Sequence, residues 1–241
     1  MLLDVPLMAH SSVLSKVVSG VSAAQALIAL RPLVGEARAD KLDRVAAGRL
    51  SGLAVVVENL FDPHNGGAAL RSCEAVGVHE VHFVGDKVPR FSARVTQGCE
   101  KWLELHHDAT VAAAVESLKA RGFRTYATVP GAAVSLEEVD ATVPAAFLIG
   151  NEHTGLTDEA RRACDLELAI PLDGFSQSLN LSVATALTVY THAQRRRRAL
   201  GRRGDLSGVA LDELRLRYYR REVRGADAVI SRWLRENSAN G

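Results

Sequence analysis

Aromatic side chains are scarce in this chain of 241 residues, at 5%. That argues against a surface that stacks bases as an RNA-recognition sheet does. Cysteine is scarcer still: Cys73, Cys99 and Cys164 are odd in number and scattered. They fit reduced thiols in the cytoplasm, and neither a disulfide framework nor a metal centre is expected from their spacing. No apolar run reaches the roughly 18 residues that a membrane span needs. The start, Met1-Leu2-Leu3-Asp4-Val5-Pro6, lacks a basic region and a cleavage site, so no signal peptide is expected. Also missing are a GxGxxG after the first strand, a Walker P-loop, a GxSxG elbow and any His/Cys cluster with metal spacing. Dinucleotide-binding, P-loop, serine-hydrolase and metalloenzyme readings are left without support.

What remains is the composition of a globular protein, 47% hydrophobic and 24% charged. The length suits one large domain with helical appendages. Charge is unevenly spread. From His192 onward thirteen arginines face six carboxylates, a surplus of seven; the net charge of +1 leaves the remainder six negative. A basic tail on an acidic body points to a phosphate-rich partner. The plainer alternative is a solvated arginine-rich helix face.

Helical periodicity marks Ser11 to Leu30 and then Glu36 to Leu50, which carries Arg38, Lys41, Arg44 and Arg49. From Leu53 the pattern alternates. Strands are predicted at Leu53–Val57, Glu80–Val84, Thr125–Val129, Ala145–Ile149 and Leu166–Leu172. Helices are predicted at Ala68–Val76, Phe91–Trp102, Ala109–Arg121, Thr157–Cys164 and from about Leu179 to Ala193. Two short basic helices follow, Leu211–Val223 and Ala226–Arg235. This divides the chain into a helical extension (1–52), an α/β domain (53–200) and basic C-terminal helices (201–241). Near-continuous apolar strands separated by helices argue a parallel sheet covered on both faces. Ligands of such sheets sit beyond the carboxyl ends of the strands. Three polar loops lie there: Phe61 to Gly67, Gly150 to Leu156, and Asp173 to Asn180. In the third, Ser178 and Asn180 stand where capping residues belong, beside backbone donors that suit a polar ligand. Taken singly, Asn65 is an ordinary turn former and Arg71 an ordinary surface arginine.

Together the three loops resemble the motifs of the SpoU (TrmH-type) RNA ribose 2′-O-methyltransferases of the SPOUT class. The first motif is carried by Glu58-Asn59, Pro63-His64-Asn65, Leu70-Arg71 and Ala75-Val76-Gly77-Val78. The second is carried by Leu148-Ile149-Gly150-Asn151-Glu152 and Thr154-Gly155-Leu156. The third is carried by Ile170-Pro171-Leu172 and Gln177-Ser178-Leu179-Asn180-Leu181-Ser182-Val183-Ala184. The resemblance covers about Leu53 to Arg198 and is nearest the tRNA (guanosine-2′-O) branch.

That resemblance implies a parallel sheet with a deep C-terminal trefoil knot, a homodimer, and S-adenosylmethionine held by Thr128, Gly150, Ile170, Leu172 and Leu179. It implies a catalytic set of Arg71, Asn65, Glu152, Ser178 and Asn180, with Asn65 and Glu152 orienting Arg71. It also implies tRNA as partner, methylated at guanosine 18 of the D-loop. Arg195, Arg196, Arg197, Arg198, Arg220 and Arg221 are expected to meet its backbone, joined by Arg38, Arg44 and Arg49. The competing substrates are rRNA and the tRNA anticodon loop, and a rival of another class is an RNA-binding protein without catalysis. Asp62 stands where relatives often carry a basic residue, and Gly66-Gly67 is expected to add flexibility.

Overall fold

The computed structural model describes residues 21–86 and 88–238. The first part of the predicted helix Ser11–Leu30 lies outside them. In chain order come α1 (Ala23–Leu30), α2 (Glu36–Ala47), β1 (Leu50–Glu58), α3 (Pro63–Val76) and β2 (Val78–Val84). Next are α4 (Ala93–Thr96), β3 (Glu104–Asp108), α5 (Val111–Ala120), β4 (Arg124–Thr128) and β5 (Val134–Ser135). β6 (Ala145–Ile149), α6 (Asp158–Ala163), β7 (Leu166–Ala169), α7 (Leu181–Leu200), α8 (Gly208–Glu222) and α9 (Ala226–Ser238) complete the described elements. Two compact units result: residues 50–202, and a helical unit from the segments before Leu50 and after Arg202.

The first unit is an α/β fold. Its seven strands lie in the order β3-β2-β1-β6-β4-β7-β5, and every adjacent pair is parallel. Alternation along β1 divides the core. Leu53, Val55 and Val57 pack with Phe83, Phe147, Leu181 and Val189 on one face. Ala54 and Val56 pack with Val115, Leu118 and Leu148 on the other. Both faces are thus apolar, as a parallel sheet requires.

Local chemistry moves several boundaries. α3 starts at Pro63, five residues before the predicted Ala68, because Asp62 caps it by accepting from the His64 amide at 2.8 Å. Proline suits the first helical position, where no amide is needed. Gly66 and Gly67 are not a source of flexibility. Both are buried in α3, and a Cβ at Gly66 would collide with Leu60 and Phe91, one at Gly67 with Val95. The segment Phe91–Trp102 is not one helix, since Gln97 and Gly98 adopt φ of +51° and +76° between α4 and a 3-10 turn. α7 runs past Ala193 through the four arginines and stops at Gly201, at φ +63°. Two strands escape sequence reading: β3, Glu-Leu-His-His-Asp at the sheet edge, is too polar, and β5 has two residues.

In the helical unit α8 packs on α1 and α2. Arg49 is 1% exposed and its Nε donates to the Tyr218 hydroxyl at 2.8 Å. Arg38 donates to Glu222. Among the described residues no helix is long and apolar enough to cross a membrane.

Candidate active site

The three polar loops leave the carboxyl ends of β1, β6 and β7, and side chains tie them together. Glu58, which ends β1 and is 4% exposed, accepts from the Thr157 amide and hydroxyl at 2.9 and 2.7 Å. Asn151 donates through Nδ2 to the Asn59 carbonyl at 2.6 Å. Asn59 is itself held at φ +50°, a conformation that asparagine tolerates better than most residues. The second loop closes on itself: Asn151 and Gly155 exchange backbone hydrogen bonds at 3.1 and 2.9 Å. Gly150 must be glycine there, because a Cβ would overlap the Gly155 and Leu156 backbone.

A second chain of bonds runs through all three loops. Asn65 Nδ2 donates to Glu152 Oε1 at 2.7 Å, and Asn180 Nδ2 donates to Asn65 Oδ1 at 3.1 Å. Asn180 in turn caps α7 by accepting from the Ser182 amide and hydroxyl at 2.8 and 2.7 Å. α3 and α7 are therefore joined where they begin. They are joined again near their ends, where Arg197 Nη2 donates to the Val76 carbonyl at 2.7 Å.

Beside this network lies a cavity of about 350 Å³. Thr128, Gly150, Ile170, Leu172 and Leu179 all line it, with Glu152 and Ser178 at the same wall. Two polar atoms there are buried without a hydrogen-bond partner, Thr128 Oγ1 and Glu152 Oε2. Apolar walls, a backbone approach at Gly150 and two unsatisfied oxygens suit a ligand with a flat apolar body and polar groups. S-adenosylmethionine has that character, so the residues present fit it.

The other predicted site residues fall in different places. Arg71 lies on α3 beyond Asn65 and is exposed. Asn65 and Glu152 bond to each other rather than to Arg71. Arg196 is corrected outright. It is 5% exposed and spends Nη1 on the Ala141 and Val143 carbonyls at 3.2 and 2.8 Å, so it cannot meet a phosphate backbone. Arg195 donates to the Leu136 carbonyl at 3.2 Å, and Arg197 is held as described. Arg198 and Arg221 are exposed, and Arg220 pairs with Asp227 at 3.1 Å. Burial likewise withdraws Arg49 from any RNA surface. Sequence reading places Glu58, Asn59 and Asn151 in the motifs and Thr157 at a helix cap, but not as the residues that lock the loops. The available signal was a carboxylate ending an apolar strand.

An open parallel sheet with a ligand cavity at its carboxyl ends, lined by the second and third of these loops and by the end of β4, with the first loop bonded to both through Asn65, defines a methyltransferase of the SpoU type. Residues 52–190 match the SpoU rRNA Methylase family, and the chain belongs to it. The tRNA (guanosine(18)-2′-O)-methyltransferase of Escherichia coli is 40% identical over 164 residues, 67% of this chain and 71% of that protein. The crystal structure of the A. aeolicus TrmH/SpoU tRNA modifying enzyme superposes with a TM-score of 0.70 at 31% identity, over 78% of this chain and 98% of that one. The SpoU methyltransferase AviRb from Streptomyces viridochromogenes, in complex with the cofactor AdoMet, gives 0.56 at 29% identity, over 61% and 59%.

Proposed function

We propose that this chain is a methyltransferase that transfers the methyl group of S-adenosylmethionine to a ribose 2′-hydroxyl of tRNA, at guanosine 18. The observation that carries this reading is a cavity lined by the second and third motif loops, to which the first is bonded through Asn65, by way of Glu152 and Asn180. The relatives' names point to the same reaction and substrate.

Thr128, Gly150, Ile170, Leu172 and Leu179 would hold the cofactor. When bound, S-adenosylmethionine supplies an electrophilic methyl group on a sulfonium that departs as a neutral thioether, so no leaving-group acid is needed. The 2′-hydroxyl is a weak nucleophile and depends on placement and on a proton acceptor. Asn65 fixes Glu152 through Oε1 and leaves Oε2 to accept from a substrate donor. Asn180 fixes Asn65 and the start of α7, and Ser178 lines the cavity. Arg71 is a poor base because a guanidinium holds its proton too tightly to exchange it for the hydroxyl's. Its role is an electrostatic clamp on the substrate phosphate and the developing alkoxide, with the proton leaving to phosphate or water.

The rest of the reading is architectural. Residues 53–200 form the catalytic domain, and the helices before and after it hold cytoplasmic tRNA. A trefoil knot is supported by the sheet order. The β6-to-β7 connection carries the chain past β4, and α7 then returns to pack on β1 and β6. An experimentally traced backbone that pulls straight from its ends would refute the knot. A homodimer is supported by Val183, Leu187 and Tyr190, 45%, 42% and 59% exposed in one row along α7. Sedimentation as a monomer at micromolar concentration would refute it.

The deciding experiment is methyl transfer from labelled S-adenosylmethionine to unmodified tRNA transcript and to rRNA fragments, with the labelled nucleoside mapped. Label on the 2′-oxygen of guanosine 18 is expected. Label on rRNA or the anticodon loop would overturn the substrate, and no label would favour RNA binding without catalysis.

A further inference from the structure

Glu80, His82, His106 and Asp108 form a polar cluster on the β2–β3 edge, across β1 from the cofactor cavity. The strands pair in register, His82 opposite His106, and their period of two sets these side chains on one face. Glu80 and His82 are 1% and 3% exposed, while His106 and Asp108 on the edge strand are 30% and 21% exposed, so the cluster is buried on β2 and reachable from solvent at β3. We propose that Glu80 Oε2, His82 Nε2 and His106 Nε2 form a site for a divalent transition-metal ion, zinc by the character of the donor set.

Ligand spacing carries the proposal. Metal bonds of about 2.0–2.1 Å in a tetrahedral site put neighbouring ligand atoms roughly 3.4 Å apart. Glu80 Oε2 lies 3.4 Å from His82 Nε2 and 3.6 Å from His106 Nε2, and one ligand atom from each residue falls within 4.8 Å of the others. The rings of His82 and His106 stack at 4.4 Å with 16° between planes, so an entering ion must turn the partly exposed His106 ring until both Nε2 lone pairs meet it. Asp108 Oδ2 sits 2.7 Å from His82 Nδ1. Donation of Nδ1–H to Asp108 leaves the lone pair of Nε2 facing Glu80, the arrangement by which outer carboxylates orient metal-bound histidines.

Unsatisfied atoms are the second observation. Glu80 Oε1 and His106 Nε2 are buried without a hydrogen-bond partner. Buried polar atoms without partners are costly unless a cation or a donor meets them. Arg121 supplies part of that charge, its Nη1 3.0 Å from Glu80 Oε2, but it comes from α5 with a side chain 46% exposed. It can swing to solvent when an ion enters, and Glu80 Oε1 or a water completes the four ligands. His79 lies nearby but pairs with Glu104 at 3.3 Å and takes no part. The ion would fasten the edge strand β3 to β2, a structural duty separate from methyl transfer.

The test uses the full chain, stripped with chelator and then titrated with ZnCl2 or CoCl2. One ion per chain is expected, with the visible absorption of tetrahedral cobalt and a raised melting temperature. His106→Ala, at a side chain 30% exposed, should keep its far-UV circular dichroism and lose at least about tenfold in affinity. Arg121→Gln should bind several-fold more tightly, because the competing cation is gone. Zinc bound equally well by His106→Ala would overturn the proposal. So would failure of both the parent and Arg121→Gln to take up cobalt.

Discussion

Arg71 is an exposed cation on α3, and the clamp proposed for it gives the first prediction. Arg71→Lys retains a charge but loses the planar fork that grips phosphate with two parallel bonds. Turnover on tRNA should fall by about 100-fold, the scale of losing one stabilising donor. Near-normal single-turnover rates would remove the clamp from the mechanism. His192 poses the opposite case, a titratable ring sealed in the core with both nitrogens unpartnered and its edge on Phe147. Burial pushes its imidazole down from 6.5 to about 4, and the charges of Arg196 and Arg195 push the same way. Between those two values the unfolded chain takes up a proton that the native protein refuses. Stability therefore falls as pH drops from 6.5 towards 4 and is level above, by up to about 3 kcal/mol at the acid end. His192→Leu should flatten that limb in urea unfolding across the window, and a parent-like limb in the variant would refute the assignment.

α7 shows how differently an element reads by sequence and by structure. Its apolar face and its Asn180 cap are legible, because periodicity and capping are local. Its last turns are not. Four consecutive arginines look like a phosphate-binding run, yet Arg195, Arg196 and Arg197 reach carbonyls at positions 136, 141, 143 and 76. Those acceptors are remote in sequence, so only the folded chain brings them near. The metal-like cluster was missed for the same reason, since His82 and His106 have no motif spacing and meet only when β3 pairs with β2. The five cavity residues, by contrast, were legible only because the motif order resembled a known family; spacing alone left Asn65 a turn former. The anchoring of α7 by Arg196 is testable. Arg196→Ala strands the Ala141 and Val143 carbonyls and should cost about 2–3 kcal/mol. A urea midpoint indistinguishable from the parent's would show that these bonds add no net stability.

At the scale of the whole molecule the governing fact is charge carried unevenly on a nearly neutral chain. Arg198, Arg202, Arg221 and Arg224 are exposed. Each phosphate they neutralise should add about −0.7 to −0.9 to the slope of log affinity for tRNA against log salt. Arg198→Gln with Arg221→Gln should flatten that slope by about 1.4 to 1.8, weakening binding to all tRNAs alike. An unchanged slope would move the RNA surface elsewhere. The main chain of the α/β unit holds a second source of positive potential. Because α3 and α7 begin together at Asn65 and Asn180 and stay joined as far as Val76 and Arg197, they run parallel, and their macrodipoles add where antiparallel helices would cancel. Each helix start carries about half an elementary charge. The catalytic loops thus sit in roughly one unit of positive field written into the main chain, a background that no side-chain replacement can erase.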